Sequence, residues 1–133
     1  MKGNPSADFN WVKARHDCSV YEVFKRLQIE VRSDIEERNA IRGDSDGRTF
    51  KFTLIVDENQ NTFTVIREPS GDQASIVFLL KPGSISVETA GGRPKFKVML
   101  TLNGDGACIP RINDERLERW EVRMKALESL FFE

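Results

Sequence analysis

The chain carries one histidine and two cysteines, and His16-Asp17-Cys18 brings two of the three within three residues, with Cys108 far downstream. Any serine or cysteine nucleophile activated by an imidazole must therefore use His16. A histidine and a cysteine two apart face the same way only in extended backbone, and no oxyanion-stabilising motif accompanies them. The plainer reading is a surface histidine at a helix entry, with Cys18 packed as the apolar residue before the cap. A zinc site from His16, Cys18 and Cys108 would lack the paired Cys-x-x-Cys or His-x-x-x-His spacing of structural zinc. Two cysteines make no disulfide framework, so both are expected as reduced thiols. No catalytic residue and no metal ligand is assigned.

Other spacings resolve into turns. Asp57-x-Asn59-x-Asn61 imitates the opening of a calcium loop, and Glu68 fills its twelfth place. Thr62 stands where the loop needs glycine, and the alternating Phe63 and Val65 predict a strand in place of a flanking helix. Asp44-x-Asp46-Gly47 reads as a turn for similar reasons. Gly91-Gly92-Arg93-Pro94-Lys95 combines glycines with positive charge but leads into a strand, so it lacks the helix N-terminus of a phosphate cradle. Glu36–Glu37 and Asp57–Glu58 are adjacent carboxylates, and adjacency has no acid–base meaning on a helix. No cofactor is expected.

The elements that position these residues follow from periodicity. Ser19 and Glu22 form a capping box, and Val20, Phe24, Leu27, Val31 and Ile35 make one apolar stripe, which predicts a helix over 19–42. Glu22–Arg26, Arg26–Glu30 and Asp34–Arg38 are spaced to pair along it. Residues 1–18 form an arm or a short helix. From 48 to 103 the period changes to two, in five strands joined by short turns, as an antiparallel meander requires. A final helix over 113–132 begins at Asn113 as cap and carries the seam Leu117, Trp120, Met124, Leu127 and Phe131. The expected fold is α+β, a two-layer sandwich with a five-stranded antiparallel meander and both helices on one face.

At 133 residues, 39% hydrophobic and 31% charged, the chain has the size and composition of one globular domain. Twenty Lys and Arg against 21 Asp and Glu give a net charge of −1. No basic stripe appears, so neither nucleic acid nor a membrane surface is an expected partner. The polar segment Met1–Phe9 has no leader pattern, and the longest apolar run, Ile76–Leu80, is far too short to span a bilayer. A cytoplasmic protein is expected.

Strand parity leaves Ile55, Ile66, Val77, Leu79 and Met99 on the sheet face away from the helices, beside Lys95 and Lys97. Either this face is an interface, or the N-terminal arm with Phe9, Trp11 and Val12 folds over it. Phe132, off the last seam and close to Trp120 and Phe131, is a second candidate contact; a frayed, partly buried last turn is the plainer account of it. The expected function is a non-enzymatic interaction module, a homodimer or a binder of another protein, using the outer sheet face or the C-terminal helix. The alternative is a carrier of a small apolar ligand in a pocket between sheet and helices, against which nine phenylalanines argue for a filled interior.

Overall fold

The computed structural model describes residues 9–41, 50–68 and 74–133. A short helix, α1 (Trp11–Asp17), starts where the Asn10 side chain accepts from the Lys13 N–H. Within it Lys13 donates to Asp17 at 2.8 Å, and this hydrogen bond lowers the Asp17 carboxyl below its usual range. The Ser19 hydroxyl then accepts from the Glu22 N–H and opens α2 (Val20–Ala40). Its predicted stripe is buried at Phe24, Leu27, Val31 and Ile35. Among the described residues, no helix is long and apolar enough to cross a membrane.

The strands are β1 (Lys51–Asp57), β2 (Thr62–Glu68), β3 (Ser75–Lys81), β4 (Ser84–Thr89), β5 (Arg93–Leu102), β6 (Cys108–Ile112) and β7 (Glu115–Arg116). They form one antiparallel sheet in chain order, of seven strands where five were expected. The two additional strands arise from turn chemistry. Asn113 and Asp114 both adopt left-handed backbone, with φ of 51° and 68°, between the pairs Ile112↔Glu115 and Arg111↔Arg116. Two such residues make a tight hairpin whose twist matches the strands. Asn113 therefore turns a hairpin instead of capping a helix. The last helix, α3, runs from Arg119 to Phe132 behind a capping box of Glu118 and Glu121. Asp57–Asn61 is a hairpin turn, in which Asp57 accepts from the Gln60 N–H and Asn61 is left-handed. The expected turn at Asp44–Gly47 lies outside the described residues.

Both α2 and α3 pack on one face of the sheet. Phe24, Phe63 and Phe78 fill the space beneath α2, with ring centroids 5.0 and 4.6 Å apart in succession. One strand breaks the expected alternation. Val87 pairs with Phe96, but Glu88 pairs with Pro94, which leaves Lys95 as the extra residue of a bulge. Phe96 faces the core, so unbroken alternation would send Arg93 and Lys95 to the outer face. The bulge resets the parity, and both line a cleft that they share with Leu130 of α3 on the helix side.

The cysteines require a second correction. Cys18 and Cys108 form a disulfide across 90 residues, with Cα atoms 5.3 Å apart, so the expected free thiols are absent. The junction of α1 and α2 lies over β6, and nothing local in the sequence records that contact. Nearby, the Phe9 ring comes within 2.9 Å of where a Cβ on Gly106 would stand, at a φ of 87°. Only glycine suits that position. The described part of the N-terminal segment thus sits on the helix side at the β5–β6 turn, not over the outer face, and Trp11 and Val12 are exposed.

Closing so long a loop restricts the unfolded chain strongly. Replacing both cysteines with serine is expected to lower unfolding free energy by about 3 kcal/mol. Urea denaturation checks this, alongside thiol titration of the unfolded, unreduced wild type, which should find no free thiol.

Candidate functional site

Helix α3 has more apolar surface than one packing face needs. At about 100° per residue, Val122, Ala126 and Leu130 share one side, buried in the core. Leu127 and Phe131 are also buried, farther round the helix. Trp120 and Met124 continue that second row but remain 55% and 48% exposed. The predicted seam therefore splits. Leu127 and Phe131 close into the core, Trp120 and Met124 stay in solvent, and Val122, Ala126 and Leu130 complete the buried side. Spacing alone does not say which part of a wide apolar arc meets the sheet.

Polar groups hold α3 against α2. Arg119 Nε donates to Glu30 Oε2 at 2.9 Å. Arg123 donates to Glu30 Oε1 at 3.1 Å and to Asp34 Oδ2 at 2.6 Å. Glu30 and Asp34, read in the sequence as partners along α2, thus reach across to the other helix. One turn further, Arg38 is only 6% exposed. Its Nε donates to the Phe131 carbonyl at 2.9 Å and its Nη1 to the Ile41 carbonyl at 3.0 Å. The guanidinium also stands 5.2 Å from the Phe52 ring and 5.0 Å from the Phe132 ring.

Beside these contacts an apolar groove of about 390 Å³ stays open, lined by Arg38, Ile41, Trp120, Met124, Phe131 and Phe132. Phe132 is 65% exposed and Ile41 is also exposed, so the groove has four large apolar lips. Glu37 and Glu128 add carboxylates to its wall. Next to it the Asn39 amide donates to the Phe52 carbonyl and accepts from the Phe52 N–H, both at 2.9 Å. It occupies part of the open edge of β1, where an unpaired strand would otherwise invite pairing.

The outer sheet face is more mixed. Ile55 lies opposite Thr64, which lies opposite Val77; Ile66 stands between Thr53 and Ser75, and Leu79 between Thr62 and Ser86. Ile55 is exposed, while Ile66, Val77 and Leu79 are partly covered by these neighbours. Met99 is exposed on β5, with β4 lying between that strand and Val77 and Leu79 of β3. The structure thus gathers four of the five sheet residues into a patch interleaved with hydroxyls, and sets Met99 apart. Phe132 belongs to the groove instead. Sequence reading missed Ile41 and Arg38 there, because a lone isoleucine and an arginine at a helix end carry no periodic signal.

The His16–Cys18 pairing has no thiol to activate, since the Cys18 sulfur is bound to Cys108. His16 is exposed, with Nε2 3.8 Å from a Glu22 oxygen. No group of three or more His, Cys, Asp or Glu with metal-binding geometry occurs among the described residues. No protein-family model, curated protein or solved structure matches the chain.

Arg38→Met keeps the apolar stem and removes the donors, leaving the Phe131 carbonyl without its arginine. The expected loss is about 2 kcal/mol of unfolding free energy, read by urea denaturation. A change within error would mean that the buried guanidinium does not hold the helices together.

Proposed function

We propose that this protein is a non-enzymatic interaction module that pairs with a second copy of itself through the groove-bearing face of α3. The observation that carries this reading is the row of exposed apolar side chains at Trp120, Met124 and Phe132, with Ile41 across the groove. Large apolar side chains gathered round one groove usually mark an interaction site, whereas scattered exposed residues need no explanation. The outer sheet face supports the reading less, because threonines and serines separate its apolar residues.

A second copy fits this face by symmetry. Residues 120, 124, 128 and 132 lie on one ridge of the helix, four apart. A two-fold axis crossing the ridge midway between Met124 and Glu128 would set Trp120 of one copy opposite Phe132 of the other. It would also bring Lys125 of each copy within a turn of Glu128 of its mate. Such an interface is self-complementary, as a two-fold dimer requires. The disulfide, half of it buried at Cys18, fits a non-reducing compartment better than the cytoplasmic one expected from the sequence. The ligand-carrier alternative draws less support, because stacked phenylalanines occupy the space between sheet and α2.

Native mass spectrometry of the purified chain should give twice the chain mass. Trp120→Ser with Phe132→Ser should give a folded protein of single-chain mass, while Val77→Lys with Leu79→Lys should leave the dimer intact. A wild type of single-chain mass would reject self-association. Dissociation by the sheet variants alone would move the interface to the outer face.

A further inference from the structure

A second cleft, of about 500 Å³, lies on the other side of the C-terminal end of α3. Ile76 and Leu130 contribute apolar surface to it, and Arg67, Arg93 and Lys95 line it as cations. Among the described residues, the carboxylate side chain in its lining is that of Glu133, against three cations. Two of the cations reach this side of the sheet through the bulge at Lys95. Bulges commonly re-aim side chains beside functional sites, and Pro94, which has no N–H to donate, sits at the irregularity.

The three cations are held differently. Arg67 is fixed: its guanidinium lies 4.8 Å over the Phe50 ring, and Nη1 donates to the carbonyls of Leu130 at 3.2 Å and Glu133 at 2.7 Å. Its Nε is buried and has no hydrogen-bond acceptor among the described residues. Arg93 and Lys95 are exposed, and neither has an ion-pair partner among the described residues. One preset cation thus faces two that are free to close on a ligand.

We infer that this cleft binds a small molecule that carries an oxyanion, a carboxylate or a phosphate monoester, on a compact apolar body. The oxyanion sits among Arg67, Arg93 and Lys95, where charge-assisted hydrogen bonds are strongest. The apolar body lies against Ile76 and Leu130. The cleft's volume is within the usual range of roughly 300–1,000 Å³ for small-molecule sites. Glu133 acts as a competing anion at one wall. The site is independent of the α3 dimer face, since none of these cations lines the apolar groove.

The test is an NMR titration of the full-length, oxidised protein with phenyl phosphate, benzoate, inorganic phosphate and neutral benzyl alcohol at fixed ionic strength. Phenyl phosphate or benzoate should shift the amides of Thr89, Ala90, Arg93, Lys95, Phe96 and Leu130 in a saturable way. Inorganic phosphate should bind more weakly, and benzyl alcohol should leave these amides in place. The order of phenyl phosphate and benzoate tells which oxyanion the site prefers. Arg93→Ala with Lys95→Ala changes two exposed side chains and should weaken binding about tenfold or more. Lys95→Glu provides a second variant with the same expectation, and Glu133→Gln should tighten binding about threefold. Three results would overturn the assignment: no saturable shift with either aromatic anion, shifts spread over lysines and arginines elsewhere, or undiminished affinity in both charge variants.

Discussion

A helix end leaves its last carbonyls without intrahelical partners, and how α3 satisfies them shapes much of this molecule. The last turn of α3 contains no basic residue of its own. Two arginines from other elements serve instead. Arg38 of α2 donates to the Phe131 carbonyl, and Arg67 of β2 donates to those of Leu130 and Glu133. Each brings positive charge to the negative end of the helix dipole. A guanidinium as buried as Arg38 requires acceptors at fixed positions, so the end of α3 is held in place against both α2 and the sheet.

That constraint explains why the two helices meet through charge. With Arg38 at one end and the Glu30, Asp34, Arg119 and Arg123 cluster further along, charged side chains bridge the two helices at several levels. Beside these contacts Trp120, Met124 and Phe132 stand at the mouth of an open groove. The charged cluster is partly exposed, so its contribution lies more in alignment than in free energy. Burial of Val122, Ala126, Leu127 and Leu130 supplies the adhesion.

Much of the architecture was legible from local signals. The Ser19 capping box, the α2 stripe and the alternation through Phe52, Phe63, Val65, Ile76 and Phe78 each depend on neighbours within a few residues, and each appears as read. The departures are cases in which a local signal had two meanings or none. Asn113-Asp114 suits a helix start and a tight hairpin equally; the outcome depended on whether β6 found β5. Strict alternation could not anticipate the bulge, because only the paired register shows that Lys95 is an extra residue. The Cys18–Cys108 bond depends on a contact across 90 residues that no spacing rule encodes. At the candidate sites, single residues such as Ile41, Arg38 and Arg67 gained a role only when folding gave them neighbours.

The groove and the cleft are chemically opposite, one apolar and one cationic, yet they lie on either side of the same helical turn. Arg38 and Arg67 reach adjacent carbonyls, those of Phe131 and Leu130, from opposite sides. Below that turn, the Phe131 ring packs edge-on to Phe52 with centroids 4.9 Å apart, and close-packed rings leave it little room to slide. The last turn of α3 therefore separates two environments by standing still, with its carbonyls drawing the two cations toward itself. The same immobility leaves Phe132, the next side chain, projecting beyond the core against the outer side of Arg38.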